Sequence, residues 1–321
     1  AAFGHWAKEQ HPGRDVSMVI GRDARQSGEM LSRLVSATLQ GLGIDVIDAG
    51  LSTTPTVEMM VQFEKAQGGI ILTASHNPAQ WNALKLLNDK GEFISGEEGK
   101  AVLQLAEDAA VTFAQVDQLG QYRKVDDAIH RHIDAILELP MVDVDAIKNA
   151  DFSVAIDAVN STGGLALEPL LNRLGVRKVH KLYCDPTGDF PHNPEPLPEN
   201  LTEISSVVKR EKSDLGIVVD PDVDRLAVVC EDGEMFGEEY TIVAVADYML
   251  GKKPGNTVSN LSSSRALRDV TEKHSGQYAA SAVGEVNVVA LMKSTNAVIG
   301  GEGNGGVIYP KLHYGRDALV G

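Results

Sequence analysis

The chain has 321 residues, enough for two domains of ordinary size or three small ones. Hydrophobic residues make up 43% and charged residues 23%, as in ordinary globular proteins, which excludes a disordered or collagen-like chain. There are 29 Lys and Arg against 45 Asp and Glu, a formal net charge of −16, so we expect no nucleic-acid partner. No apolar run reaches the ~18 residues that a membrane-spanning helix needs, so we expect no membrane partner.

In the first part of the chain, short apolar runs alternate with segments whose apolar residues recur at helical spacing. Met30, Leu31, Leu34 and Val35, for example, form one stripe of a predicted helix. Pro140 follows the last helix of this part and is a usual stop signal. Predicted strands cover residues 16–20, 44–47 and 69–72, and predicted helices cover residues 28–42, 56–63, 102–110 and 127–139.

The same alternation continues from about residue 151 and again after residues 251–255, which their composition predicts to be a linker. A proline-rich segment, residues 185–200, predicts a long functional loop. Strands that alternate with helices predict an α/β fold of successive similar domains with mixed, largely parallel sheets. Predicted strands cover residues 154–158, 179–183, 215–219, 226–230, 257–261, 278–281 and 297–299. One predicted helix ends near residue 174, and the others cover residues 200–212, 240–250, 265–274 and 286–294.

The two cysteines, Cys184 and Cys230, each lie in an apolar run. No CxxC motif and no Cys/His cluster along the sequence accompanies them, so neither a disulfide scaffold nor a zinc module is expected. This cysteine usage favours a reduced, cytoplasmic location.

The first candidate motif is TASHNP at residues 73–78, directly after a predicted strand. It places Ser75 at the carboxyl end of that strand, the usual functional edge of an α/β sheet. An ordinary turn uses the same residue types and stays an alternative. Lys85 follows ten residues later and could return to the same cleft, although a lone lysine is usually a surface charge. A serine hydrolase is rejected because the Gly-x-Ser-x-Gly elbow is missing.

The second motif is DPDVDR at residues 220–225, between two apolar strands. Asp220, Asp222 and Asp224 alternate along the chain and offer oxygen ligands to a hard cation, Mg²⁺ or Ca²⁺. An EF-hand loop is rejected because Arg225 stands where that loop needs glycine and because the flanks are strands. A solvated acidic turn fits poorly, since clustered carboxylates beside buried strands repel each other without a cation.

The third motif is GGEGNGG at residues 300–306, again after a predicted strand. Glycines allow the backbone to approach a ligand closely, and Glu302 and Asn304 offer an acceptor and an amide to sugar hydroxyls. A plain flexible turn is the alternative. A Walker A loop is excluded because no Gly-Lys-Ser/Thr follows.

These motifs, in this order on successive α/β segments, resemble the α-D-phosphohexomutase family, which includes phosphoglucomutase, phosphomannomutase and phosphoglucosamine mutase. Residues 73–78 resemble its phosphoserine loop, residues 220–225 its metal loop and residues 301–306 its sugar-recognition loop. The GRDARQSG segment at residues 21–28 resembles a turn of its first domain. The resemblance implies an active site in the cleft between successive domains, which we predict at residues 1–148, 149–251 and 252–321.

The resemblance also implies a role for each motif residue. Ser75 would carry a phosphoryl group, whose oxygens Arg225 would contact, and Lys85 would be a general acid/base if its pKa is lowered. Mg²⁺ and a hexose 1,6-bisphosphate activator are the implied cofactors, and a hexose phosphate is the implied substrate. The implied site residues are Ser75, Lys85 and Arg225 in catalysis, Ser75, Asp220, Asp222 and Asp224 on the metal, and Glu302 and Asn304 on the sugar.

The implied reaction is reversible phosphoryl transfer between the 1- and 6-positions of a hexose phosphate through a phosphoserine enzyme and a hexose 1,6-bisphosphate. Gly306 and Ala282 stand where many members have His and Lys, so those two roles are not carried over. The resemblance favours phosphoglucosamine mutase or phosphoglucomutase/phosphomannomutase and leaves the preferred hexose open. A non-catalytic sugar-phosphate-binding protein and a metal-dependent phosphatase on the same scaffold are the alternatives, and we expect a monomer or homodimer.

The sequence begins at Ala1 inside an apolar periodic stretch and ends at Gly321 within a pattern. The family's N-terminal strand with an active-site arginine and its fourth, phosphate-gripping domain are not recognised in the sequence. We therefore expect a fragment that folds, binds Mg²⁺ and accepts a phosphoryl group at Ser75 but turns over little substrate, because remote binding energy supports turnover.

Overall fold

The computed structural model describes residues 1–108 and 111–321 of the chain. In this described part, three sheets follow one another along the sequence, each largely parallel with one antiparallel edge strand. The predicted α/β fold class with mixed, largely parallel sheets is therefore confirmed. Among the described residues, no helix combines the length and the apolar character needed to cross a membrane.

The first sheet has the strand order β4-β3-β1-β2-β5. Alternate residues of its central strand face opposite cores: Met18 and Ile20 pack with Phe3 and Trp6, whereas Val19 packs with a second apolar cluster. The strands are β1 Ser17–Arg22, β2 Asp45–Leu51, β3 Gly68–Leu72, β4 Leu84–Leu87 and β5 Tyr122–Lys124, and the helices are α1 Ala2–Gln10, α2 Gly28–Gly41, α3 Thr54–Phe63 and α4 Gly96–Glu107.

Two helices connect the first sheet with the second, and the first of these, α5, packs against both α3 and α7. The second sheet has the strand order β7-β6-β8-β9. Its elements and the connecting helices are α5 Ala128–Leu137, α6 Val144–Ala150, β6 Ser153–Asp157, α7 Gly163–Arg173, β7 Lys178–Leu182, α8 Thr202–Glu211, β8 Leu215–Val219 and β9 Leu226–Cys230.

The third sheet has the strand order β11-β10-β12-β13. Helix α9 packs on α10 and β12 of this unit and also on β9 of the second sheet, so it joins the two. The elements are α9 Glu238–Lys252, β10 Asn256–Asn260, α10 Ala266–Lys273, β11 Tyr278–Ser281, α11 Glu285–Thr295, β12 Ala297–Glu302 and β13 Gly306–Ile308.

Several predicted elements differ in extent from the structure. The predicted linker 251–255 begins too early, because Gly251 and Lys252 are the last residues of α9. The helix predicted to begin at Asn200 begins later, because Asn200 closes a short 3₁₀ turn and Leu201 precedes α8. Helix α4 begins earlier than predicted, at a capping box formed by Ser95 and Glu98, and residues 109–110 of that predicted helix lie outside the described residues.

Candidate active site

The three motifs occupy equivalent places in the three sheets. In each sheet the last pair of strands is antiparallel, and a motif lies in the connection between them: residues 73–83 between β3 and β4, residues 220–225 between β8 and β9, and residues 303–305 between β12 and β13. We call these the serine loop, the aspartate loop and the glycine loop. Side-chain contacts described below join all three loops in one buried network.

In the serine loop, Ser75 has a left-handed backbone, with φ of 49°, and is only 9% exposed. Its Oγ donates a hydrogen bond of 3.0 Å to Asp220 Oδ2 of the aspartate loop. Its backbone N–H donates to Thr73 Oγ1 at 2.9 Å. The serine hydroxyl of the motif is thus aimed at the acidic cluster, and the alternative of an ordinary exposed turn is disfavoured.

Arg25, from the GRDARQSG segment, holds the serine loop in shape. Its buried guanidinium donates four hydrogen bonds of 2.5 to 2.9 Å to backbone carbonyls of the loop. Asp23 fixes the guanidinium in turn at 2.9 Å and accepts from Thr73 Oγ1 at 2.7 Å. Burial outweighs the attraction of Arg25 and raises the pKa of Asp23 to about 6. The carbonyls belong to Ser75, Asn77, Pro78 and Trp81.

The aspartate loop turns its three carboxylates inward, and none of them is exposed to solvent. Val223 at the tip adopts a left-handed backbone with φ of 64°, which is costly for a β-branched residue. Asp220 Oδ1 accepts the backbone N–H groups of Asp224 and Arg225, at 3.1 and 3.2 Å, and so closes the turn. The hairpin register places the loop at the end of β8, beside the serine loop.

Lys85 reaches this acidic cluster from β4. Antiparallel pairing of Ile71 with Lys85 returns the chain to the serine loop, which explains how a residue ten positions after Ser75 enters the cleft. Its Nζ donates to Asp222 Oδ2 at 2.7 Å and to Asp224 Oδ2 at 3.0 Å. Burial alone would lower the pKa of Lys85, but the two aspartates outweigh burial and raise it. The lowered pKa on which the predicted base role depends is therefore not found in this form.

The aspartate loop has the donor set of a metal site. One carboxylate oxygen from each of Asp220, Asp222 and Asp224 lies within 4.8 Å of the other two. Two further oxygens, Asp222 Oδ1 and Asp224 Oδ1, are buried without a hydrogen-bond partner among the described residues. Burial, then Asp224 and Asp222, raise the pKa of Asp220, as expected for acids that repel each other. The residues fit a cation, so this triad could bind a metal.

Arg316, which was not predicted from the sequence, connects the aspartate loop with Glu302, the last residue of β12 before the glycine loop. Arg316 donates to Glu302 at 2.8 Å, to Glu285 at 2.8 Å and to Asp224 at 2.7 Å. Glu302 also accepts from Asn260 at 2.7 Å and from Asn304 Nδ2 at 3.3 Å. Glu302 is thus held by protein donors on both oxygens, with 5% of the residue exposed at the cleft.

The same arginine explains the absence of a side chain at Gly306. A Cβ built at Gly306 would lie 2.3 Å from Arg316 Cδ, so a larger residue would require Arg316 to move. Arg225, in contrast, has one ion-pair contact at 3.9 Å, to Asp224, and its Nε has no hydrogen-bond partner in the part of the chain that the structure describes.

Comparison with known proteins identifies the family. Residues 1–111 match the family described as Phosphoglucomutase/phosphomannomutase, alpha/beta/alpha domain I, residues 130–233 match its domain II, and residues 237–321 match its domain III. The chain belongs to the phosphoglucomutase/phosphomannomutase family. This confirms the predicted family and supports the predicted phosphohexomutase function, an isomerase activity.

Individual relatives agree with this family membership. The chain is 36% identical to a phosphoglucomutase/phosphomannomutase of Thermococcus kodakarensis, over 99% of this chain and 69% of the relative. It is 30% identical to a phosphoglucosamine/phosphogalactosamine mutase of Sulfurisphaera tokodaii, over 96% and 68%. A crystal structure of a phosphoglucomutase/phosphomannomutase family protein from Burkholderia thailandensis superposes with a TM-score of 0.86 at 27% identity, over 99% and 69%. The chain spans 64 to 69% of the length of the curated relatives it matches.

Within this family member, the structure brings together Ser75, Lys85 and the three aspartates by direct contact, and connects Glu302 to them through Arg316. Asn304 lies one step further out, against Glu302. The sequence analysis missed Arg25 and Arg316. Arg25 lies in the GRDARQSG segment, which the family resemblance had already singled out. Nothing in the HYGRDA segment around Arg316 indicated a contact with Asp224, 92 positions away.

Proposed function

We propose that this chain transfers a phosphoryl group between the 1- and 6-hydroxyls of a hexose phosphate, with Ser75 as the residue that carries the group. The observation that supports this most is the hydrogen bond from Ser75 Oγ to Asp220, within a buried cluster that also includes Lys85. A nucleophile beside a cation site and a lysine has what phosphoryl transfer needs: positioning and neutralisation of charge. The three proposed domains, residues 1–148, 149–251 and 252–321, would each supply one loop.

The metal that we propose for the triad is Mg²⁺, held by Asp220, Asp222 and Asp224 together with the phosphate on Ser75. An all-oxygen donor set of carboxylates and phosphate suits Mg²⁺. When bound, it would polarise the phosphoryl oxygens and offset the charge of the carboxylates. The buried oxygens of Asp222 and Asp224 that lack a protein partner support this assignment.

The remaining roles follow from the charges and contacts of the side chains. Arg225 would donate from its guanidinium to phosphoryl oxygens, since a planar fork of donors matches that geometry. Lys85, which holds its proton firmly in this form, would give that proton to Ser75 Oγ as the P–O bond to serine breaks. The neutral amine would then take the proton from the sugar hydroxyl as the new O–P bond forms. Glu302 and Asn304 would orient the sugar hydroxyls.

A hexose 1,6-bisphosphate would act as the activator, because the reverse of the same half-reaction loads the phosphoryl group onto Ser75. Relatives named for glucose, mannose, glucosamine and galactosamine phosphates leave several hexoses as candidate substrates. The set of sugar hydroxyls that Glu302 and Asn304 accept would decide among them.

The test is to incubate the dephosphorylated chain with glucose 1,6-bisphosphate and Mg²⁺ and to map phosphate by peptide mass spectrometry. We expect one phosphate per chain, on Ser75, and none on Ser75→Ala. Ser206→Ala is the matched control, because Ser206 is an exposed serine of helix α8 outside the three loops, and it should be labelled like the parent chain.

Two outcomes would contradict the proposal. Equal labelling of Ser75→Ala would mean that another residue carries the group. Tight binding of the bisphosphate with no label in the parent chain would favour a non-catalytic sugar-phosphate-binding protein instead.

A further inference from the structure

A second cluster of metal-ligating side chains lies outside the three loops. It brings together His132 of helix α5 and His313 and Asp317 of the segment after β13. Asp317 Oδ2 lies 2.9 Å from His132 Nε2 and 3.3 Å from His313 Nε2. His132 and Asp317 are fully buried and His313 is 4% exposed. We call these three residues the histidine cluster.

Each member of the histidine cluster has its other polar atom close to a neighbour. Thr56 Oγ1 lies 2.9 Å from His132 Nδ1, and the backbone N–H of Leu319 donates to Asp317 Oδ1 at 2.8 Å. Glu58 Oε2 lies 3.1 Å from His313 Nδ1. Such outer partners set the tautomer and orientation of metal-binding histidines in known sites. Here they leave the two Nε2 atoms facing one carboxylate oxygen, Asp317 Oδ2.

The surroundings of these three atoms are buried and only partly hydrogen-bonded. Glu58 is fully buried, and neither of its carboxylate oxygens has a hydrogen-bond partner among the described residues. His313 Nδ1 is also without one. Asp317 places a second buried acid beside the two imidazoles, so a cation bound here would have acidic neighbours on both sides of His313. Buried charges are expensive unless they are paired or bound to a metal.

We propose that His132, His313 and Asp317 bind a divalent transition metal of the zinc type, with Thr56 and Glu58 orienting the two histidines. Imidazole nitrogens combined with a carboxylate suit Zn²⁺ and its neighbours rather than Mg²⁺. With metal–ligand bonds of about 2.1 Å, tetrahedral geometry separates ligand atoms by about 3.4 Å. The 3.3 Å between Asp317 Oδ2 and His313 Nε2 agrees with that value. The 2.9 Å between Asp317 Oδ2 and His132 Nε2 is a hydrogen-bond distance, which would lengthen when the metal binds.

The position of this site gives it a structural consequence. Its ligands and their partners come from α3 of the first sheet unit, from α5, and from the segment that follows β13 of the third unit. A bound metal would therefore tie together the units that carry the serine loop and the glycine loop. His313 lines a surface cavity of about 690 Å³, which offers an entry path for the ion.

A proton on His313 is the competing occupant of this place. Burial lowers the pKa of this imidazole, but the adjacent carboxyl groups of Asp317 and Glu58 outweigh burial and raise it to about 10. The protonated form would satisfy both nitrogens of His313 without a metal. The experiment must therefore measure the metal itself rather than stability alone.

The test uses the full chain stripped with a chelator, then given one equivalent of Zn²⁺ in excess Mg²⁺, which blocks the aspartate triad. We expect one zinc per chain to survive gel filtration, with two imidazole ligands in its X-ray absorption spectrum. No retained zinc would overturn the proposal in favour of the proton. A shell of oxygen ligands only would also overturn it, because the zinc would then be in the aspartate triad.

Variants identify the ligands. His132→Gln should lose the retained zinc, whereas His130→Gln, an exposed histidine of the same helix, should keep it. Thr56→Val keeps the side-chain shape and removes one orienting group, so zinc affinity should fall about 10- to 100-fold. Unchanged zinc retention and an unchanged spectrum in both His132→Gln and Thr56→Val would refute the assignment.

Discussion

The aspartate triad and the histidine cluster are two buried groups of ligands that balance their charge in different ways. The triad has three carboxylates and draws fixed cations from other segments, Lys85 from β4 and Arg316 from the segment after β13. The histidine cluster has one carboxylate between two imidazoles, and burial raises the pKa of the nearby Glu58 to about 8. The first suits a hard cation that meets phosphate, and the second suits a transition metal that holds the structure together.

Helix α3 serves both groups from its first turn. Thr54 donates its hydroxyl to Asp222 Oδ2 of the triad, whereas Thr56, two positions later, contacts His132. Thr54 also donates its backbone N–H to the Asp222 carbonyl at 2.8 Å. One buried helix end therefore positions the site of chemistry and the proposed structural site, and the two can be perturbed separately.

The largest expected effect comes from removing the cation that joins the triad to the glycine loop. Arg316→Met leaves Asp224, Glu285 and Glu302 buried without their shared partner. Loss of one member of a buried ion network costs about 3 to 5 kcal/mol, so the free energy of unfolding in urea should fall by that amount. Arg210→Met removes an exposed arginine and should change it by less than about 0.5 kcal/mol. Equal stability of the two variants would mean that Arg316 adds no net energy.

The next largest effect distinguishes the aspartate triad from the histidine cluster by the reaction that each would support. Asp222→Asn removes one carboxylate charge from the triad, and we expect labelling of Ser75 by glucose 1,6-bisphosphate to slow about 10²- to 10³-fold. Asp232→Asn, at the exposed turn after β9, is the control and should label at the normal rate. Zinc retention at the histidine cluster should be the same in both variants. A simultaneous loss of zinc in Asp222→Asn would show that the two groups form a single site.

Asp23 is another buried carboxylate, and it can be compared with Asp224. Asp23 has one cationic partner, Arg25, whereas Asp224 has two at hydrogen-bond distance, Lys85 and Arg316. Burial raises the pKa of Asp23 from an ordinary 3.8 to about 6. The folded state then binds more protons than the unfolded state between these values, so stability falls as pH rises from about 4 to about 6. The fall is at most about 3 kcal/mol relative to Asp23→Asn, measured by urea unfolding at pH 4, 5 and 6.5. A constant difference across this range would contradict the shift.

The smallest effects come from Thr54 and Thr56 of helix α3, which contact the aspartate triad and the histidine cluster respectively. Thr54→Val should slow Ser75 labelling about tenfold, because a hydrogen bond to a charged group contributes about 1.5 to 3 kcal/mol and part of that is recovered by relaxation. Its zinc affinity should not change. Thr56→Val should have the opposite pattern, with weaker zinc binding and normal labelling. If each variant affects both measurements, helix α3 couples the two groups and cannot be treated as two independent supports.

The sequence predicted the triad and the serine because their residues are contiguous. Asp220, Asp222 and Asp224 span five positions, and Ser75 follows a strongly apolar strand, so both patterns are visible without any knowledge of the fold. The sequence excluded a zinc module for lack of a local Cys/His cluster. His132 and Asp317 are 185 positions apart, and no local sequence pattern predicts their contact, because only the packing of α5 brings the two residues together.

The edge strands β4 and β5 were not predicted from the sequence. Strand β5 is three exposed residues with two charges, which have no apolar alternation to detect, and it forms only because an edge of the sheet accepts it. Strand β4 lies at the other edge and mixes Lys85 with leucines. The direction of the Lys85 pKa shift was left open because the sequence could not show that two aspartates, rather than an apolar wall, surround the amine.

The central claim is that Ser75 passes its phosphoryl group to a sugar hydroxyl. The most direct measurement is a single turnover in which the chain phosphorylated on Ser75 is mixed with glucose 1-phosphate and Mg²⁺, and the phosphorus is followed by NMR. We predict that the Ser75 signal decays while glucose 1,6-bisphosphate grows in equal amount. Release of inorganic phosphate in its place would contradict the account and identify a phosphatase.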